Sequence, residues 1–147
     1  MPTRIDPRGP RFAAALTSVV LAAALVTGSA WLLAVQGVVF AAGALLGLPR
    51  APYGLLYARL VRPRLGPPGE LEDAAPPRFA QAVGLVFAVV GVIAFAAGLT
   101  VVAYVAVAAA LAAAFLNAAF GFCLGCEIYL AYRRLFPSQP NTTEVAS

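Results

Sequence analysis

Cys123 and Cys126 are the only cysteines in the chain, and they stand three positions apart in Gly121-Phe122-Cys123-Leu124-Gly125-Cys126. Residues i and i+3 share one side of a helix, so the two sulfurs can meet in a disulfide after a small adjustment. If a helix begins here, its free N–H groups and its dipole favour a thiolate at the first cysteine. Cys123 is then the attacking thiol and Cys126 the resolving one. Glu127 opposes this, because a neighbouring negative charge disfavours a thiolate. The competing reading is a turn filled by two small apolar side chains, which cysteine does well. No thioredoxin-like strand–helix pattern surrounds the pair to decide between the two.

Other chemistry is excluded more easily. The chain has no histidine, so a Cys–His nucleophile pair cannot form. One chain offers two thiolates where structural zinc takes four Cys/His ligands, so only a homo-oligomer sharing its cysteines could bind zinc in that way. No motif calls for a cofactor. The net charge of +4 comes from ten arginines and no lysine, but these arginines edge apolar runs instead of forming a contiguous basic face, which speaks against a nucleic-acid partner. The alanine- and arginine-rich usage suggests a GC-rich bacterial source.

The elements that position the cysteines follow from hydropathy. With 62% hydrophobic and 11% charged residues in 147, the chain has too few charges to cover a small domain in water, so the lipid bilayer is its expected solvent. Four apolar runs, 12–28, 30–48, 79–98 and 100–120, each have about 17–21 residues, enough to cross the hydrocarbon core as a helix. Gly28-Ser29 separates the first two, and Gly28-Ser29-Ala30 resembles a signal-peptide cleavage site, but the repeat described below favours a tight helical hairpin. Trp31 suits the headgroup zone.

Tyr53, Leu56, Tyr57 and Leu60 recur at helical spacing, with Arg59 and Arg62 on another side, which predicts an interfacial helix over 53–62. A second is expected over 126–136, stopped by Pro137. Residues 64–77, rich in proline and carrying Glu70, Glu72 and Asp73, read as a solvated linker, and 138–147 as a disordered tail. Asn141-Thr142-Thr143 matches a glycosylation sequon. Gly84, Gly91 and Gly98, Gly43 and Gly47, and Ala106, Ala110, Ala114 and Ala118 read as helix-packing faces. Gln36 and Asn117 are the clearest amides inside the runs, with interhelical hydrogen bonding the expected use.

The chain also repeats itself. Asp6-Pro7-Arg8-Gly9-Pro10-Arg11-Phe12-Ala13 and Asp73-Ala74-Ala75-Pro76-Pro77-Arg78-Phe79-Ala80 both read D-x-x-x-P-R-F-A. At the other end Gly47-Leu48-Pro49-Arg50-Ala51-Pro52 lies over the C-x-x-C stretch, so the first copy has Pro49 and Pro52 where the second has cysteines. Residues 1–63 and 78–137 are therefore expected to be two repeats, each a cap, a hairpin and an interfacial helix. An acid before a helix satisfies free N–H groups, which accounts for Asp6 and Asp73. A sharper reading gathers Asp6, Arg11, Asp73 and Arg78 into one charged cluster. The fold class expected is an all-α integral membrane protein with four transmembrane helices in two parallel tandem repeats. Every charge lies on the side of the termini and linker, so the positive-inside rule puts both termini and the C-x-x-C in the cytoplasm.

At Ile5-Asp6-x-Arg8, Pro10-Arg11-Phe12, residues 74–81 and residues 121–126, the chain resembles a bacterial membrane family known as domain of unknown function 4395, from Ile5 to about Arg134. The resemblance implies a four-helix inner-membrane protein with no established activity and no assigned catalytic residues. It further implies thioredoxin-like or sulfurtransferase partners, near which relatives are often encoded. The expected function is a membrane-anchored thiol–disulfide or persulfide relay. A transporter or channel for a small sulfur species, or a non-catalytic membrane scaffold, would carry the same residues.

Overall fold

Glycines and prolines divide the apolar sequence into helices of near-membrane length. The computed structural model describes residues 4–136. A two-residue strand β1 (Arg4–Ile5) leads into α1 (Arg8–Thr27), and α2 (Ala30–Leu46) follows. A 3-10 turn over Leu48–Arg50 leads to α3 (Pro52–Leu56), a π-helical turn over Tyr57–Val61 and α4 (Arg62–Leu65). Then come β2 (Glu72–Asp73), α5 (Ala75–Ala96), α6 (Thr100–Phe120) and α7 (Leu124–Leu135). Pro137, the tail and the Asn141 sequon lie outside the described residues.

Among the described helices α1, α5 and α6 are long and apolar enough to cross a membrane, whereas α2 is apolar but has 17 residues. The second run thus stops short of the expected residue 48. Gly47 leaves the helix at φ 91°, and Leu48 starts the 3-10 turn instead. The outward faces are apolar: Val26 is 85% exposed and Val101 77%. All of this is consistent with a membrane-embedded protein.

The first hairpin turns at Gly28, in the left-handed region at φ 63°, and Ser29 caps α2 by accepting from the Leu32 N–H at 3.2 Å. The main interhelical packing joins α2 to α5 and α1 to α6. Leu21, Leu33, Phe40, Ala88 and Val107 form the core where these pairs meet. Without a hydrophobic drive in lipid, such contacts depend on close fit. Phe40 fills the space over Gly84, Leu33 that over Gly91, and Gln81 that over Gly43. Gly98 and Gly47 are not packing residues as the spacing predicted: both have positive φ, and no atom approaches the Cβ position of Gly98. They end helices.

One polar network runs through this interior. Gln36 is fully buried; its Nε2 donates to Thr17 Oγ1 at 3.3 Å, and its Oε1 accepts from the Tyr53 hydroxyl at 2.7 Å. The amide therefore joins α1, α2 and α3, the interhelical use expected of Gln36.

The charged end differs most from the expected interfacial helix and linker. Helix continues past Pro63 to Leu65: Pro63 falls at the start of α4, where a missing N–H is tolerated, and Arg62 N–H donates back to Tyr57 O across the π turn. Tyr57, placed by its spacing on an apolar face, is instead buried, with its hydroxyl on Asp6. The linker is solvent-exposed over residues 69–73 and contains β2, which pairs antiparallel with β1, Ile5 opposite Glu72 and Arg4 opposite Asp73. Ile5, Ala13, Leu48 and Ala74 form a second small core beneath that ladder.

Candidate functional site

The C-x-x-C turn is built by the ending of one helix and the start of the next. Gly121 takes φ 68°, a conformation open to glycine at little cost, and its N–H closes onto Asn117 O at 3.0 Å. Phe122 N–H donates to Leu116 O at 3.3 Å. The chain then extends at Cys123, which is the N-cap of α7. This break puts Asn117, in α6, and Cys123, the N-cap of α7, on different helices.

Cys123 Sγ accepts the N–H of Cys126 at 3.1 Å, and its carbonyl accepts from Glu127 N–H at 3.0 Å. The two cysteines are disulfide-bonded, with Cα atoms 5.1 Å apart. Both are partly exposed. The geometry thus has two consequences for the same sulfur. Oxidised, Cys123 is bridged to its neighbour. Reduced, it would face a free N–H at a helix start, which favours the thiolate.

Gly125, between the cysteines, is fixed by close approach. A Cβ there would lie 2.6 Å from Ala80 Cβ and 2.7 Å from Ala80 Cα. The start of α7 therefore rests directly on the first turns of α5, and the tilted rings of Phe79 and Tyr129, 5.6 Å apart, continue that contact. Beyond it, α7 is amphipathic, with Glu127, Arg133 and Arg134 on the chain of an otherwise apolar, exposed helix.

The four charged residues proposed as one cluster have separate partners. Asp6 Oδ1 accepts the Arg8 N–H at 3.0 Å, and Asp73 Oδ1 accepts the Ala75 N–H at 3.0 Å, each at the start of a long helix. Asp6 also binds the Arg8 guanidinium at 2.9 Å and the Tyr57 hydroxyl at 2.6 Å. The Arg8 hydrogen bond, aided by Tyr57 and opposed by desolvation, lowers its pKa from 3.8 to about 2. Burial, and after it the same contact, raise that of Tyr57. Arg8 reaches on to Gly66 O at 2.9 Å.

Arg11 and Arg78 bind backbone instead. Arg11 Nη2 donates to Ala118 O at 3.3 Å, at the end of α6, and its guanidinium lies beside Gly121. Arg78 donates from Nε to Ala44 O and from Nη2 to Leu45 O, both at 3.0 Å, at the end of α2. A cation at a helix C-terminus meets unpaired carbonyls and the negative end of the dipole. Sequence reasoning missed Arg8, Tyr57, Thr17 and Tyr53 as polar partners. Tyrosine at helical spacing reads as a hydrophobe, and its hydroxyl leaves no periodic signal.

Among the described residues no group of three His, Cys, Asp or Glu side chains is gathered for a metal ion.

The comparison that decides kinship is with family models: residues 5–134 match the model described as Domain of unknown function (DUF4395). The chain belongs to this family. The match spans both D-x-x-x-P-R-F-A segments and the C-x-x-C turn, so the contacts of Asp6, Arg11, Asp73, Arg78 and the cysteines fall within the shared domain. No curated protein and no solved structure matches this DUF4395 chain.

Proposed function

We propose that this DUF4395 protein is a membrane-anchored thiol–disulfide or persulfide relay that works through Cys123. The observation that carries the reading is the position of Cys123 as N-cap of α7, with its sulfur on the Cys126 N–H and bonded to the Cys126 sulfur. A partner thiolate attacks Cys123 Sγ; the Cys123–Cys126 bond breaks, and Cys126 leaves as a thiolate. The partner's second thiolate then attacks its own sulfur in the mixed disulfide and releases Cys123. The partner loses two electrons to the pair, and both cysteines end as thiols after taking up two protons. In the persulfide form, reduced Cys123 takes the outer sulfur of a partner persulfide and leaves the partner as a thiolate.

The partner is a thioredoxin-like protein or a sulfurtransferase, reached from the cytoplasmic side of a bacterial inner membrane. Supporting that side, the two hairpin turns carry no charge, while all the arginines lie toward the opposite end. The scaffold is four crossings in two parallel repeats. Three relations support the duplication. Arg11 on Ala118 and Arg78 on Ala44 are matching contacts, since 11 pairs with 78 and 44 with 118 in the two repeat alignments. The α1–α6 and α2–α5 contacts exchange under the same matching. Ile5 pairs across the ladder with Glu72, its own counterpart.

The exchange is reversible, so reduced Cys123 also attacks a disulfide of the oxidised partner, expelling one partner thiolate; the test is Cys126→Ser, in which no second thiol of this chain can resolve that mixed disulfide. Affinity capture of this variant should recover a disulfide-linked, reductant-sensitive adduct that Cys123→Ser lacks. Absence of any adduct, with the wild-type pair unresponsive across glutathione redox buffers, would overturn the relay and leave a scaffold.

A further inference from the structure

The outer seam of α1 and α6 is not closed. Ala15, Ser18, Val19 and Ala22 face Leu111, Ala112, Phe115 and Ala118 across an apolar groove of about 750 Å³. That volume is in the range of small-molecule sites. The α2–α5 contact is drawn together by Gly37, Gly43, Gly84 and Gly91. At the level of the groove neither α1 nor α6 has a glycine.

The groove has a polar end. Arg11 is four residues before Ala15 and seven before Ser18, so it lies on the same stripe of α1. Its guanidinium stands at the Ala118 end of the slot, exposed to solvent. Among the described residues it makes one hydrogen bond, at 3.3 Å, where Arg78 makes two at 3.0 Å. A guanidinium has five N–H donors and pairs well with phosphate. Ser18, the one hydroxyl in the groove, already donates to Ala14 O at 2.8 Å, so the slot itself asks for an apolar occupant.

We infer that the α1–α6 groove holds an acyl chain of an anionic phospholipid whose headgroup phosphate pairs with Arg11. The phosphate is common to zwitterionic and anionic lipids, so net charge selects between them: a choline headgroup brings a cation that the exposed guanidinium repels, an anionic headgroup does not, and in either case the apolar tail follows the groove toward the bilayer centre. The inference depends on membrane embedding and not on the thiol relay.

Full-length protein in nanodiscs containing equal phosphatidylglycerol and phosphatidylcholine, released for native mass spectrometry, tests this. Wild type should retain one phosphatidylglycerol at least tenfold more often than phosphatidylcholine. Arg11→Gln should abolish the preference, and Arg78→Gln should keep it. Because Arg11 also caps α6, Ala112→Phe provides a second variant that fills the groove away from the cap; it should lose the adduct while keeping wild-type helicity. Equal retention of both lipids, or an undiminished adduct in Ala112→Phe, would overturn the inference. So would a dimer that Ala112→Phe dissociates, which would assign the groove to a second copy. Failure to enter nanodiscs at all would overturn membrane embedding, and the lipid site with it.

Discussion

Arg78 reaches across the bundle to Ala44, its Nε 3.0 Å from the carbonyl oxygen, and so ties the start of α5 to the end of α2. Arg11 does the same for α1 and α6, more loosely, through Ala118. Hydrogen bonds to charged groups contribute about 1.5–3 kcal/mol, less when exposed to solvent. Arg78→Met removes two such bonds and Arg11→Met one. Thermal unfolding in detergent should therefore show a larger drop in midpoint for Arg78→Met. Equal midpoints in both variants and wild type would mean that the arginines cap nothing of consequence.

Those contacts mark the limit of what the sequence conveys. The apolar run 100–120 coincides with α6, and Gln36 could be read as an interhelical amide because a lone amide in an apolar run has few other uses. The partners of Arg11 and Arg78 could not be read, since each lies over 30 residues away and is a backbone carbonyl, which every residue has. Tyr57 was hidden by its own periodicity. The β1–β2 ladder involves two residues per strand, too few for alternation to register. At the candidate site, the i, i+3 spacing of the cysteines was legible; the close approach of Ala80 to Gly125 was not.

Gly125→Ala tests that approach. The new methyl would fall 2.6 Å from Ala80 Cβ and 2.7 Å from its Cα, so backbone has to move. Overpacking of this kind costs about 1–3 kcal/mol. The expected outcome is a lower unfolding midpoint and a Cys123–Cys126 disulfide that is reduced faster by dithiothreitol, as the start of α7 lifts off α5. Ala80→Gly removes the Cβ contact but leaves the Cα at 2.7 Å, so the double variant should recover part of both. No rescue would place the strain elsewhere.

Asp6 supplies a pH dependence. Its pKa is lowered from 3.8 to about 2, so the folded state binds the proton less well than the unfolded state. The stabilisation is fully present above pH 3.8 and is lost as pH falls through about 2. Its size is on the order of 2 kcal/mol. Acid titration of stability in detergent should show this loss between about pH 4 and 2 in wild type, and a smaller one in Asp6→Asn. Tyr57→Phe, which removes the 2.6 Å hydrogen bond, should shift the loss to higher pH. A profile unchanged by either substitution would show that this corner of the fold contributes no stability.

The two sulfurs should differ once reduced. Cys123 is at the N-cap with an N–H directed at its sulfur, whereas Cys126 lies within the first turn of α7. The thiolate is the reactive form, and a helix start favours it. Glu127 is adjacent in sequence to Cys126 and penalises that thiolate more directly. Single variants isolate each sulfur: with Cys126→Ser, Cys123 should react with iodoacetamide severalfold faster at pH 7 than Cys126 does in Cys123→Ser. A membrane-impermeant maleimide should reach Cys123 in inverted vesicles and not in intact cells. Equal rates would remove the electrostatic basis for calling Cys123 the attacking thiol, and labelling from outside would reverse the orientation of the whole bundle.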